Sequence, residues 1–113
     1  MTIIRDTLTR AALKQMAARM FGDMVKAVVD VERGFIAVDA ELHSDLEALL
    51  LEDGSVQREL WGINLYPELA GDQFIEFDAM INMRPSQGNR SRGVEDAAIR
   101  AKIVEIVARM VDG

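Results

Sequence analysis

Along the chain the spacing of apolar residues changes period several times, and each change marks an element. Leu13, Met16, Ala17, Met20 and Phe21 recur at helical spacing. Thr9 stands ahead of them as an N-cap, Leu8 and Leu13 take the staple positions, and Gly22 supplies a stop. From Met24 the period becomes two. Val25, Ala27, Val29 and Val31 share a face, Glu32-Arg33-Gly34 makes a turn, and residues 35–39 return antiparallel, so residues 24–39 read as a hairpin. Residues 2–5 suggest a short first strand.

Ser44 and Glu47 have the capping-box spacing, and Leu46, Leu49 and Leu50 form an apolar stripe ended by Gly54, which predicts a short second helix. Residues 60–66 alternate with Trp61, Ile63 and Leu65 on one face. Residues 74–84 are rich in aromatic and branched side chains and end at Pro85, so the two segments are expected to pair as a second hairpin. Residues 85–93 (PSQGNRSRG) read as loop, and Ile99, Ile103, Ile106, Val107 and Met110 mark a last amphipathic helix with Asp96 at its N-cap. The order β-α-β-β-α-β-β-α predicts an α+β fold: a mainly antiparallel sheet of two hairpins, plus the N-terminal strand, with helices packed on one face.

A length of 113 residues accommodates one core, so residues 1–113 are expected to form a single domain. No repeat or linker interrupts it. The absence of cysteine excludes disulfides, thiolate metal sites and a cysteine nucleophile. With no secretory leader and no apolar run long enough for a membrane span, the expected location is cytoplasmic and no membrane partner is expected. Charge is unevenly spread. Residues 23–78 hold 14 acids against Lys26, Arg33 and Arg58, whereas residues 84–109 hold six basic residues against three acids. The acidic middle would repel a phosphate backbone and argues against nucleic-acid binding.

The phrases GDMVKAVVDVERG, ELHSDLE, LLLEDGS, LWGINLYPE and INMRPSQGNRSRGVED, in this order along nearly the whole chain, resemble a family of short prokaryotic proteins known only as a domain of unknown function. The resemblance implies a small free-standing protein. It carries no activity, cofactor or site residue onto these positions.

Three groups of residues could hold chemistry. Glu41, His43 and Asp45 would face one way in an extended segment and offer a weak metal-ligand set, although the predicted helix start at Ser44 breaks the alignment and a solvated histidine near an N-cap is the simpler reading. The same histidine could act as a base towards Ser44, Ser55, Ser86 or Ser91, but no nucleophile-elbow motif selects one of them. The loop 84–93 gathers Arg84, Asn89, Arg90 and Arg92 among glycines just before a helix. These are the parts of an anion site, or of a contact with the acidic middle of this chain or a partner. Finally, Trp61 stands with Asn64 and Tyr66 at a strand end; the ring is expected in the core, with a cleft formed by Trp61, Asn64 and Asn82 as the alternative, and the two amides, set in apolar strands, need partners, either each other or that cleft. The seven methionines include Met16, Met20 and Met110 on helix stripes, where core filling is the plain reading.

Apolar content with segregated charge leads to the expectation of a non-enzymatic binding or interaction module that forms a homo-oligomer, a dimer by symmetry, with no cofactor. The alternative is a small enzyme or ligand-binding protein holding a phosphate or carboxylate at loop 84–93.

Overall fold

The computed structural model describes residues 1–113, which form ten regular elements: β1 (Thr2–Ile4), β2 (Leu8–Thr9), α1 (Arg10–Arg19), β3 (Val25–Asp30), β4 (Phe35–Val38), α2 (His43–Glu52), β5 (Leu60–Leu65), β6 (Ile75–Glu76), α3 (Ala97–Met110) and β7 (Val111–Asp112). The fold is α+β. Five strands make one antiparallel sheet in the order β1-β4-β3-β5-β6, and β2 pairs with β7 in a separate parallel ribbon. No helix is long and apolar enough to cross a membrane.

Local chemistry sets the ends of the helices. Thr9 Oγ1 accepts from the Ala12 amide at 3.0 Å and starts α1. The helix ends at Arg19, three residues before the expected stop, yet Gly22 does turn the chain. At φ +92° it brings its amide to the Ala17 carbonyl at 2.6 Å. Of the methionines placed on helix stripes, Met110 is buried and Met16 packs against the core from its edge, whereas Met20 is exposed. Asp96 caps α3 through the amides of Ala98 and Ile99.

The second helix departs from its capping-box expectation. α2 begins at His43, with Leu42 at the N-cap and no side-chain capping bond, so Ser44 lies inside the first turn. Glu47 is drawn elsewhere: its carboxylate lies 3.6 Å from the Arg84 guanidinium, deep in the fold.

The hairpin β3–β4 forms as predicted, and a buried carboxylate fixes its turn. Asp30 Oδ1 accepts from the amides of Glu32 and Arg33 at 3.0 and 2.8 Å, and Oδ2 accepts from Ser55 Oγ at 2.6 Å. Asp30 thereby ties the turn to the segment that follows α2. Val28, Val29, Ile36, Ala37, Ile63 and Leu65 are all fully buried, so the centre of the sheet is covered on both faces. Helices cover it more fully than the one-face expectation. Gly62 looks onto His43 of α2, whereas the adjacent Trp61, pointing the other way, shares a cavity with Ile99 of α3.

The expected strand 74–84 is mostly not a strand. β6 pairs with β5 for only two residues, Asn64 with Glu76 and Leu65 with Ile75, after which the chain leaves the sheet for single helical turns at Met80–Asn82 and Pro85–Gln87. The reason lies in how the edge of β5 is satisfied. Asn82 Oδ1 accepts from the Gly62 amide at 2.8 Å and its Nδ2 donates to the Gly62 carbonyl at 2.9 Å, while Arg84 Nη2 donates to the Leu60 carbonyl. Side-chain amide and guanidinium groups supply the bonds that a strand backbone would have made.

Candidate functional site

Where the chain leaves the sheet after Glu76, it opens a cleft of about 440 Å³ between the start of α2, the outer end of β5 and residues 76–92. Each wall comes from a different element. Lys26 and Asn64 are register partners on β3 and β5, His43 and Ser44 open α2, and Tyr66, Glu76, Asp78 and Arg92 come from the irregular segment and its approaches.

His43 is buried, and its Nε2 lies 2.9 Å from the Ile63 carbonyl. A carbonyl only accepts, so Nε2 carries the proton and Nδ1 holds the lone pair in the neutral ring. Burial pushes the imidazole pKa below its usual 6.5, against the bond to Ile63, which favours the charged form, and with help from nearby Lys26. No serine hydroxyl is bonded to the ring, so the chain does not assemble a Ser-His nucleophile pair. Glu41 and Asp45 are exposed, and no group of three histidine or carboxylate side chains is gathered closely enough to hold a metal ion. The Glu41, His43 and Asp45 grouping is thus not brought together, because burial turns the histidine onto β5.

Glu76 is held by two uncharged donors. Its Oε1 accepts from Asn64 Nδ2 at 2.8 Å and from the Tyr66 hydroxyl at 3.0 Å, and no cation of the chain pairs with it. Burial and the Glu76 carboxylate push the Tyr66 pKa up to about 12, so the phenol stays a donor. Asp78 differs, being paired with Arg92 at 2.7 Å. Asn64 Nδ2 also donates to the Asp78 carbonyl at 3.2 Å. Because Nδ2 faces two acceptors, the amide orientation is fixed, and Oδ1 is left buried without a partner.

The other sequence candidates go to different places. Asn64 and Asn82 do not bond each other: Asn64 lines the cleft while Asn82 clamps Gly62 and also donates to the Arg92 carbonyl. Trp61 is 2 % exposed, as expected of a core residue, and lies under Arg84, whose guanidinium sits 4.8 Å from the ring centre. The three proposed cleft residues Asn64, Asn82 and Trp61 therefore do not line one space.

Loop 84–93 turns two of its four candidates, Arg84 and Asn89, inward and leaves Arg90 and Arg92 exposed. Arg84 is buried, bonded to the carbonyls of Leu60 and Ile81 and near Glu47. Asn89 spends its Nδ2 on the carbonyls of Asn82, Ser91 and Gly93 and accepts from the Glu95 amide. The amides of Arg90 and Ser91 do bind an anion, but it is the chain's own Glu95, at 2.6 and 2.8 Å. Those bonds hold the Glu95 carboxyl below the usual carboxylate range. Arg84 and Arg92 face acids of the same chain, Glu47 and Asp78, and of the loop arginines only Arg90 makes no ion pair.

Sequence reasoning singled out His43, Asn64, Tyr66 and Arg92, though in separate groups, and missed Lys26 and Glu76. The period-two pattern placed Lys26 and Asn64 on strands; their pairing across β3 and β5 is what makes them neighbours. No curated protein and no solved structure matches the chain. A family model described as "Protein of unknown function (DUF5674)" matches residues 2–110, and the chain belongs to that family.

Proposed function

We propose that this protein is a small non-enzymatic binding module and that it binds a small molecule in the cleft beside His43. The observation that carries this reading is Glu76: a carboxylate oriented through one oxygen by Asn64 and Tyr66, open to solvent, and paired with no cation of its own chain. Exposed carboxylates are commonplace, but one that two side chains hold in a fixed direction at the mouth of a cavity is preorganised for a ligand. The floor supports the same reading. A buried acceptor left unmet, as Asn64 Oδ1 is, costs about 1–3 kcal/mol, which a donor reaching it would offset.

A thermal-shift screen of small metabolites against the full chain, followed by ¹⁵N NMR of each stabiliser, tests the proposal. Expected are compounds that raise the melting temperature and shift the amides of His43, Asn64 and Glu76. Stabilisers that all map to loop 84–93 would move the site to the anion alternative, and a screen without stabilisers would remove the binding role.

A further inference from the structure

We propose, resting on the cleft reading above, that the ligand is a small zwitterion of the amino-acid type with an aliphatic body. Three features of the cleft select this class. The first is the charge balance of the lining. Of its four fixed charges, Arg92 and Asp78 neutralise each other at 2.7 Å, which leaves one anion, Glu76, and one cation, Lys26, without ion-pair partners. Lys26 reaches only the Phe21 ring, 5.0 Å from its ammonium. A simple cation would meet Glu76 but be repelled by Lys26, and a simple anion would meet the reverse. A molecule carrying both charges satisfies both groups.

The second feature is the direction of hydrogen bonding. Glu76 Oε1 is occupied by Asn64 and Tyr66, so Oε2 is the oxygen left to receive an ammonium group. Beside His43 the wall also holds Asn64 Oδ1, a buried acceptor with no hydrogen-bond partner. The floor is rich in acceptors and asks for a ligand with several N–H donors, which a primary ammonium supplies and a hydroxyl does not. Asn64 is 4 % exposed, so a donor reaching its oxygen has to displace part of the wall. Met80, 64 % exposed and unbranched, is the adaptable part of that wall.

The third feature is the apolar lining. Met24, Leu42, Met80 and Ile81 stand around the polar floor, and Leu42 and Met80 are exposed well beyond what a core residue shows. They offer a surface to an aliphatic side chain whose polar end lies on Glu76 and Lys26.

Leucine, isoamylamine and 4-methylpentanoate share one aliphatic body and differ only in the charged groups. Calorimetric titration of the full chain with each, at neutral pH, is expected to find leucine binding at least tenfold more tightly than either single-charge probe. Glu76→Gln, which keeps the bonds to Asn64 and Tyr66, is expected to weaken leucine and isoamylamine severalfold and to tighten 4-methylpentanoate; Lys26→Met is expected to weaken leucine and 4-methylpentanoate and to tighten isoamylamine. Melting curves of both variants report whether the fold is retained. Equal binding of leucine and either single-charge probe, or loss of leucine binding in neither variant, would overturn the zwitterion, as would no binding by any of the three. NMR separates the two levels: a single-charge probe that binds best while shifting His43 and Asn64 leaves the cleft standing and removes only the ligand class, whereas leucine shifting residues elsewhere removes both.

Discussion

Gly62 is the most closely packed of the glycines, and filling it tests the packing that places the cleft floor. A Cβ at this position would stand 2.5 Å from the Ala79 Cβ, 3.1 Å from His43 Cδ2 and 3.2 Å from Ile81 Cγ1. Carbon atoms in contact prefer about 3.5–4.0 Å, so the first of these needs a shift of roughly 1 Å. Neither backbone can yield easily. Asn82 holds Gly62 through both its amide and its carbonyl, Val28 pairs with it in the sheet, and the Ala79 amide is bonded to the Arg92 carbonyl. Overpacking of this kind costs about 1–3 kcal/mol, and the rigid surroundings put Gly62→Ala near the upper end. Its φ lies outside the left-handed region, so the cost is one of space and not of backbone strain. Ala79→Gly alone should cost about 1.5 kcal/mol, from a lost buried methyl and a more flexible unfolded chain. The double variant removes the 2.5 Å contact, and its destabilisation should fall about 2 kcal/mol short of the sum of the single ones. Urea unfolding of the four proteins measures this directly. Additive single effects, or a Gly62→Ala protein as stable as the parent, would refute the packing argument.

Stability should also depend on pH through His43. Its folded pKa is depressed below 6.5, so the unfolded chain binds the proton more readily. The contribution is complete above pH 6.5 and is lost as pH falls from there towards the folded value, and urea midpoints at several pH values should show a slope in that window that His43→Gln flattens. Asp30→Ala should destabilise the protein by about 3 kcal/mol in the same assay, because it strips the partners from the Glu32 and Arg33 amides and from the buried Ser55 hydroxyl. Asp30→Asn, which keeps an acceptor for the turn, should cost less, and equal losses would mean that the turn amides do not matter.

Elements specified by neighbouring residues were legible in the sequence. The caps at Thr9 and Asp96 lie within three residues of the amides they serve, and the β3–β4 hairpin is written in its alternation and its Gly34 turn. What failed was decided across the fold. Ser44 and Glu47 have the capping-box spacing, yet Glu47 turns to Arg84, so the local pattern lost to a buried cation. The composition of residues 74–84 is that of a strand, but β-propensity measures fit to a half-buried surface more than a need for backbone pairing, and Asn82 took over that pairing with its side chain. The β2–β7 ribbon joins the two ends of the chain through two residues each and has no local signature at all. At the site, the expectation that Asn64 and Asn82 required partners, each other or a cleft, met a divided outcome: Asn64 lines the cleft, and Asn82 bonds the Gly62 backbone. Arginines in a glycine-bearing loop read as an anion grip because sequence cannot show that the Leu60 carbonyl and the Trp61 ring lie within reach of Arg84.

The cleft and the broken strand are one event. Had residues 77–84 continued the ladder, their backbone would have run along the whole edge of β5 and closed the space beside Asn64. Departure after Glu76 leaves the Leu60 and Gly62 groups needing partners, at about 1–3 kcal/mol for each buried group left unmet. Asn82 and Arg84 meet that need with side chains, which frees the backbone to swing outward and carry Asp78, Met80 and Ile81 round to form a wall. The glycine at 62 belongs to the same arrangement, since only a residue without Cβ lets Ala79, Ile81 and His43 approach the strand this closely. Asn64 stands two residues further on, at the last stretch still paired to β6, where its amide spans the boundary between ladder and cleft: one nitrogen bonded to Glu76 and to the Asp78 carbonyl, one oxygen left without a partner. A polar side chain in an apolar strand thus marks the place where the sheet gives way to the cleft.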